Sequence, residues 1–392
     1  MSFLAPECEA DLAEAVAAAA ARGTPLELRG GGSRLGIGRP VQAESTLATG
    51  GLSGITLYEP GALTLVVKAG TPLAEVEEAL AAEGQRLPFE PMDHRFLMGT
   101  EGTPTVGGMV ATAASGPRRV QAGACRDAML GVRFVNGRGE AIRSGGRVMK
   151  NVTGYDLVKL MAGSYGTLGV LTEVSFKVLP VPEQALTLAI EGLDDARAVE
   201  AMSCAMTSPF EVTGAAHLPA YVAGVANRTL IRVEGMANQA RYRAEQVTRR
   251  LAGFGEIHQL EGAEHDAVWV GVRDVRPFAG REGAVWRLGL RPSAAAAAVA
   301  AIRAALDCEA IFDWAGGRVW LLVPEAGDAG AAAIRAETRR HGGHATLMRA
   351  TAATRAAVEV FEPAPEPIVR LEAGLRSAFD PAGILNPGRM RA

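Results

Sequence analysis

Residues 28–36 read Leu-Arg-Gly-Gly-Gly-Ser-Arg-Leu-Gly, and this stretch decides the fold that we expect for the chain. The alternation of residues 25–28 predicts a strand that leads into it. Three consecutive glycines remove every Cβ from the turn and permit positive φ, so neighbouring backbone N–H groups can converge on an anion. Arg29 and Arg34 place positive charge on either side, and Ser33 adds a hydroxyl donor. A pyrophosphate suits such a loop, because each hydrogen bond to a charged group contributes roughly 1.5–3 kcal/mol.

The common nucleotide-binding fingerprints do not match this loop. If Gly30 and Gly32 are the first two glycines of a G-x-G-x-x-G motif, Leu35 occupies the position of the third. The loop does not end in Gly-Lys-Ser/Thr, and residues 36–40 do not begin a helix whose N-terminus would complete the site. The alternative is a glycine-rich turn between two strands, and the loop alone does not decide between the two interpretations.

Length and composition indicate a globular protein with two domains. The chain has 392 residues, 48% of them hydrophobic and 21% charged, and its net charge of −3 gives no reason to expect nucleic acid as a partner. The four cysteines form no C-x-x-C pair, so we expect neither an iron–sulfur cluster nor a structural zinc within the chain. Residues 1–7 lack the features of a signal peptide, and no apolar run is long enough to span a bilayer. We therefore expect a cytoplasmic protein.

A second unusual stretch, residues 102–116, consists almost entirely of small residues. Small side chains let the backbone approach a flat, bulky group closely. They also permit tight packing of helices. The composition of this stretch leaves both interpretations open.

The remaining patterns divide the chain at Pro-Val-Pro, residues 180–182. Before this point, an alanine-rich helix over residues 9–22 ends at Gly23, and the dipeptide Asn136-Gly137 predicts a β-hairpin. Beyond it, strands alternate with helices, which predicts an antiparallel sheet covered by helices on one face. The predicted strands are residues 185–190, 212–217, 229–234, 285–290 and 319–323, and the predicted helices are residues 193–206, 237–253, 292–306, 331–341 and 368–379.

Four stretches, in the right order, resemble one family of flavoproteins. They are residues 29–33, 105–116, 150–170 and 379–389. This is the FAD-binding family of the vanillyl-alcohol oxidase type, also called the p-cresol methylhydroxylase (PCMH) type, and within it the chain most resembles the FAD-binding E subunits of bacterial glycolate oxidases. The resemblance implies an α+β fold, with a PCMH-type FAD-binding domain and an inserted antiparallel α+β cap domain. It places the FAD-binding domain at residues 1–180 plus 366–392 and the cap domain at residues 181–365.

The resemblance also implies which residues bind FAD. The loop at residues 30–33 would hold the pyrophosphate, and residues 105–108 would lie along the pyrophosphate and the flavin. Ala113, Ser115 and Gly116 would pass close to the ring system, and Asn386 would return near it from the C-terminal tail. Family members that attach FAD covalently often carry a His in the glycine loop. This chain has Ser33 or Arg34 there, so we expect non-covalent FAD. The implied cofactor-binding residues are Arg29, Gly30, Gly31, Gly32, Ser33, Thr105, Val106, Gly107, Gly108, Ala113, Ser115, Gly116, Gly169, Val170 and Asn386.

The sequence assigns no catalytic residue and no metal site. Related 2-hydroxy-acid dehydrogenases carry a His pair and a Gly-Asp-x-Asn-x-His stretch that bind a metal, and none of the six histidines here stands in that context. His341 and His344 form the only close pair, and their spacing favours a turn between a helix and a strand. Arg118, Arg119 and Lys150 are candidates for stabilising an anionic substrate or a reduced flavin, but they equally fit phosphate-binding or surface charges.

Two functional hypotheses follow from the resemblance. In the first, the chain is the FAD-binding subunit of a glycolate (2-hydroxy-acid) dehydrogenase and takes part in oxidising glycolate to glyoxylate. Electrons would pass to an iron–sulfur subunit, a larger paralogous FAD subunit would complete the complex, and partners would make any contact with the inner membrane. In the second, the chain is a non-catalytic electron-relay or assembly subunit beside that paralogue. A weaker third hypothesis is a carbohydrate or aldonolactone oxidase of the same fold.

Overall fold

The computed structural model describes residues 2–148, 154–220 and 226–391. Within these ranges the chain has the expected α+β fold, and its strands form four sheets. The strands are β1 (Ser2–Leu4), β2 (Leu26–Arg29), β3 (Ser45–Ala48), β4 (Ile55–Glu59), β5 (Thr64–Lys68), β6 (Gln85–Arg86), β7 (Met129–Val135), β8 (Ala141–Gly145), β9 (Val170–Lys177), β10 (Leu179–Pro180), β11 (Gln184–Glu191), β12 (Val212–Leu218), β13 (Arg228–Gly235), β14 (Ile257–Leu260), β15 (Ala284–Gly289), β16 (Glu309–Asp313), β17 (Arg318–Val323) and β18 (His344–Arg349).

The helices include every one that the sequence patterns predict. The first helix has the predicted bounds, and Gly23 ends it in the left-handed conformation, with a φ of 64° that suits glycine. Among the described residues, no helix combines the length and the apolar character needed to cross a bilayer. The α-helices are Glu9–Arg22, Leu73–Ala82, His94–Met98, Val106–Ala111, Arg119–Ala122, Cys125–Ala128, Leu157–Met161, Asp195–Met206, Ala237–Leu251, Gly262–Arg273, Ala295–Ala305, Ala331–Arg340, Ala352–Ala357 and Glu366–Phe379.

Besides the short antiparallel pairing of β6 with β10, the N-terminal part contains a three-stranded parallel sheet and a five-stranded antiparallel sheet. In the parallel sheet, β3 lies between β1 and β2. The antiparallel sheet has the order β4-β5-β9-β7-β8, and β7 pairs with β8 as the hairpin that Asn136-Gly137 predicts. The glycine loop follows β2 directly, so the strand predicted before it is confirmed.

A larger antiparallel sheet of eight strands has the order β14-β11-β13-β12-β16-β17-β15-β18. Its antiparallel pairing confirms the predicted sheet type, but the prediction that helices cover only one face is wrong. One face packs on helices that include Asp195–Met206 and Ala295–Ala305. The other meets helix Gly262–Arg273, together with Ile37 and Met92 of the N-terminal part. Both faces are therefore covered, while the boundaries of a separate cap domain stay a prediction.

The C-terminal tail returns to the N-terminal part. The N–H group of Leu26 donates to the carbonyl of Ile384 at 2.8 Å, and the N–H group of Asn386 donates to the carbonyl of Leu26 at 3.0 Å. The tail thereby lies parallel to β2. The buried carboxylate of Asp380 accepts hydrogen bonds from the N–H groups of Ile384 and Leu385, which fixes the turn that precedes this pairing.

Candidate functional site

The glycine loop after β2 lines a cleft. Among the described residues, the N–H groups of Gly30 and Gly31 find no hydrogen-bond acceptor, whereas Gly32 is bridged to Thr103. A Cβ at Gly31 would overlap the carbonyl oxygen of Thr103, so only glycine fits against that segment. Gly32 has a φ of 82°, which glycine adopts without steric strain. Unpaired N–H groups in a tight, concave turn are suited to binding an anion.

The start of helix Val106–Ala111 forms a second wall of the cleft. Thr105 caps this helix, and its Oγ1 accepts a hydrogen bond from the N–H group of Gly108 at 3.3 Å. A Cβ at Gly30 would lie 2.5 Å from that Oγ1 atom, and a Cβ at Gly107 would lie 3.0 Å from the backbone behind the helix. The small residues of this stretch therefore serve helix packing and close approach to the loop at the same time.

Asn386 of the C-terminal tail joins two segments that border the cleft. Its Oδ1 accepts a hydrogen bond from the N–H group of Leu28 at 2.8 Å, and its Nδ2 donates to the carbonyl of Tyr165 at 2.8 Å. Asn386 and Tyr165 both hold left-handed backbone conformations, with φ values of 44° and 53°. These contacts fix the position of the tail relative to the loop.

We expect Asn386→Ala to lower the free energy of unfolding by about 2–4 kcal/mol, since the change leaves the partner groups of Leu28 and Tyr165 unpaired. Denaturant unfolding of the full chain measures this. Asn238 is exposed on helix Ala237–Leu251, so Asn238→Ala is the matched control and should change the free energy by about 0.5 kcal/mol or less. Equal stability of the two variants would contradict the joining role of Asn386.

Arg34 supplies a cation to the cleft. Its Nε donates to Nδ1 of His94 at 3.2 Å, and its Nη2 donates to the carbonyl of Met92 at 3.3 Å. Burial lowers the pKa of Arg34 to about 10, so the group stays charged at neutral pH. Within the part of the chain that the structure describes, Arg34 forms no ion pair with a carboxylate. A half-buried cation with only neutral partners favours an anionic ligand.

Most of the residues predicted to bind FAD line this one cleft. They are Arg29, Gly30, Gly31, Gly32, Ser33, Thr105, Gly107, Gly108, Gly169, Val170 and Asn386.

The other four predicted residues lie outside the cleft wall. Val106 is fully buried in the core beneath it, and Ala113 follows the helix with a φ of 47°. Ser115 lines a narrow neighbouring cavity. Gly116 packs so closely against Glu90 that a Cβ at position 116 would overlap the carbonyl oxygen of Glu90.

Sequence comparison places the chain in a family. The FAD binding domain family matches residues 2–145. The glycolate oxidase subunit GlcE of Escherichia coli is 36% identical over 370 residues, which span 94% of this chain and 93% of the relative. The chain belongs to the GlcE family. Two other relatives match over shorter regions. The glycolate oxidase subunit GlcD of Bacillus subtilis is 32% identical over 42% of this chain and 34% of its own length, and a D-lactate dehydrogenase of Anaerostipes hadrus is 34% identical over 44% and 34%.

Solved structures confirm the PCMH-type fold expected for a GlcE-family chain. The 4-ethylphenol oxidase from Gulosibacter chungangensis superposes with a TM-score of 0.74 and covers 99% of this chain and 88% of its own. A p-cresol methylhydroxylase gives a TM-score of 0.73 with the same coverage. Both are 16% identical to this chain, so they support the fold alone.

FAD, the predicted cofactor, is confirmed by the family match and by the GlcE relationship. The cleft fits the diphosphate of this cofactor, because it combines N–H groups without acceptors, glycines where a Cβ would collide, and the Arg34 cation. The contact of each named residue with FAD stays a prediction.

The arginines suggested for anion binding have other roles in this GlcE-family chain. Nε of Arg118 lies 3.0 Å from Oε1 of Glu90, and its Nη1 pairs with Glu234. Arg118 is therefore held by two carboxylates, which it shares with Arg86 and Arg232, and this pairing does not favour the anion-binding role suggested for it. Arg119 is exposed and stacks 4.3 Å from the ring centroid of Trp314. Lys150 lies outside the described residues.

The histidine pair lies in a turn between a helix and a strand, as the sequence predicted. His341 ends helix Ala331–Arg340, and His344 begins β18, so residues 341–344 form the turn between them. Across the described ranges, no cluster of three or more His, Cys, Asp or Glu residues could hold a metal ion.

Several residues of the cleft wall were missed, among them Arg34 and Tyr165, because their signal is weak in the sequence. Arg34 was noted only as a charge beside the loop, and Tyr165 was not singled out, yet both line the cleft. The positive φ of Tyr165 is a backbone property that no pattern of residues in the sequence predicts.

Proposed function

We propose that this chain is the FAD-binding subunit of a glycolate (2-hydroxy-acid) dehydrogenase complex and takes part in the oxidation of glycolate to glyoxylate. The observation that carries the proposal is the cleft, where loop N–H groups without acceptors and the Arg34 cation are suited to bind an anion. The chain around this cleft is related to GlcE over 94% of its length.

The residues of the chain would bind and orient the cofactor. The N–H groups of residues 30–32 and the guanidinium of Arg34 would hold its diphosphate, and Asn386 would keep the tail beside the flavin. Bound FAD supplies the acceptor for the hydride that leaves the hydroxyl-bearing carbon. The rest of the cleft wall would shield this site from water.

Partners belong to the same proposal. The relatives from E. coli and B. subtilis are both named as glycolate oxidase subunits, which supports a complex of several chains. We propose a larger paralogous FAD subunit and an iron–sulfur subunit as the other members. The cysteines of this chain are scattered at positions 8, 125, 204 and 308, so the electrons would leave through a partner.

The alternative is a non-catalytic electron-relay or assembly subunit that binds FAD beside a catalytic paralogue. The sequence favours it in one respect, since none of the six histidines stands in the metal-binding context of related 2-hydroxy-acid dehydrogenases.

Flavin reduction separates the two functions. The purified chain is loaded with FAD and mixed with glycolate or D-lactate under anaerobic conditions, and the absorbance of oxidised flavin is followed. Bleaching at a catalytic rate without partners supports direct oxidation by this chain. Bleaching only after the partner subunits are added supports the relay function.

We also expect the bound FAD to be non-covalent, because Ser33 and Arg34 occupy the loop positions where covalent family members often carry histidine. Acid precipitation of the holoprotein should release the flavin into the supernatant. Colour that remains in the washed pellet would contradict this expectation.

A further inference from the structure

A narrow cavity lies between the eight-stranded sheet and the cleft. Arg287 on β15 and Arg318 and Trp320 on β17 line it from the sheet. Arg287 pairs in register with Trp320, and Gly289 pairs with Arg318, so the three side chains share one face of the sheet. Tyr165 lines both the cavity and the cleft. The cavity is small, about 10 Å³, so it has room for one polar group, and the rest of a ligand would lie in the adjoining cofactor cleft.

Arg318 carries a buried charge that its neighbours satisfy only in part. The residue is 4% exposed, and its Nη2 donates to the carbonyl of Ser115 at 2.9 Å. Its Nη1 lies 3.8 Å from Oδ2 of Asp313, which is too far for a hydrogen bond. Among the described residues, its buried Nε has no partner at all. A buried donor without an acceptor is costly, so this side chain favours an anion in the cavity.

Positive charge exceeds negative charge around the cavity. Arg287 is a second cation, and it forms no ion pair with any residue in the described ranges. Burial lowers the pKa of Arg318, and the nearby Arg287 lowers it further. Burial raises the pKa of Asp313 to about 6, so this carboxylate is still mostly ionised at pH 7, and it is one negative charge beside two arginines. Burial also lowers the pKa of His94, which lines the cavity and is neutral at pH 7.

We propose that this cavity binds the carboxylate group of a small hydroxy acid and that Arg287 and Arg318 are the two cations that hold it. The planar guanidinium group offers paired donors that match the two oxygens of a carboxylate. The inference rests on the proposed function, because it places the acid beside the FAD that would oxidise it. Arg287 and Arg318 thereby take the anion-binding role that the sequence suggested for Arg118.

A binding titration tests the proposal without requiring turnover. The FAD-loaded full chain is titrated with oxalate, a small carboxylate that has no C–H bond to oxidise, and the change in flavin absorption is measured. Arg287→Met should weaken oxalate binding at least tenfold, while Arg287→Lys, which keeps the charge, should weaken it less. Arg291 is exposed on the same part of the chain, so Arg291→Met is the matched control and should bind oxalate like the wild type.

Several outcomes would overturn the proposal. Equal oxalate affinity in Arg287→Met and the wild type would do so, and so would inorganic phosphate binding as tightly as oxalate. If Arg287→Met weakens FAD and leaves oxalate unchanged, Arg287 belongs to the cofactor site instead. If Arg287→Met does not fold, Arg287→Lys decides by the same titration. The wild-type chain could also bind FAD and support glycolate oxidation in its complex without binding oxalate. That result would contradict this inference and leave the proposed function intact.

Discussion

Gly31→Ala is expected to bind FAD at least about a hundredfold more weakly than the wild-type chain. The new Cβ would overlap the carbonyl oxygen of Thr103. Because both groups belong to the backbone or lie directly on it, no side-chain rotation relieves the clash, and the loop must move. Losing two hydrogen bonds to the diphosphate costs about 3–6 kcal/mol, which corresponds to a hundredfold or more in affinity. Titration of the apoprotein with FAD, followed by quenching of flavin fluorescence, measures the change.

Gly61→Ala is the matched control for this substitution. Gly61 lies in the turn after β4, a Cβ there would meet no heavy atom within 4 Å, and its backbone is not left-handed. This variant should bind FAD as the wild type does. If Gly31→Ala and Gly61→Ala bind FAD equally well, the loop does not hold the cofactor in the way that we describe.

Glu90→Gln is expected to lower the free energy of unfolding by about 3–5 kcal/mol, because it removes the carboxylate that pairs with the buried Arg232 and Arg118. Oε1 and Oε2 of Glu90 accept hydrogen bonds from Nη1 and Nη2 of Arg232 at 2.9 and 2.8 Å, and Oε1 also lies 3.0 Å from Nε of Arg118. The side chain of Arg232 is 1% exposed, so water cannot replace the lost carboxylate. Urea unfolding of the full chain measures the loss.

Glu366→Gln is the control for this second prediction. Glu366 pairs with Arg370 at 3.5 Å on the exposed C-terminal helix, and removing such a pair should cost less than about 1 kcal/mol. A similar loss of stability in the two variants would show that the buried pairing of Glu90 is not special.

The same carboxylate makes a prediction about pH. Burial alone would raise the pKa of Glu90, but Arg232 and Arg118 outweigh burial and lower it to about 2. The stabilisation from ionised Glu90 is therefore complete above the pKa of the unfolded chain, about 4.3, and is lost as the pH falls towards 2. Between these values the free energy of unfolding should fall more steeply for the wild type than for Glu90→Gln. Parallel pH profiles would contradict the assignment.

Local signals explain what the sequence predicted well. The three glycines at 30–32, the small residues from 105 to 108 and the Asn-Gly turn each specify a backbone geometry within a few residues, and the structure has a tight loop, a closely packed helix and a hairpin at these places. The family resemblance implied that the C-terminal tail brings Asn386 back near the flavin, and the structure shows the tail beside β2, where Asn386 accepts a hydrogen bond from Leu28.

Long-range pairing explains what the sequence did not predict. Glu90 and Arg232 are 142 positions apart, and no pattern in either segment predicts that their side chains form an ion pair. The ion pairs of Arg118 with Glu90 and Glu234 were not predicted for the same reason. Arg287 and Arg318 come together only because β15 and β17 are neighbours in the sheet, so their shared cavity depends on topology. Helix Gly262–Arg273 was missed, and with it the covering of the second sheet face.

Competition for the FAD cleft tests the central claim most directly, namely that backbone N–H groups of the glycine loop hold the diphosphate. The FAD-loaded chain is challenged with ADP, which carries a diphosphate, and with adenosine, which does not. We predict that ADP displaces FAD at a concentration at least about tenfold lower than adenosine does, since charged hydrogen bonds to the loop are available only to ADP. Displacement by both at the same concentration, or by neither, would contradict the account.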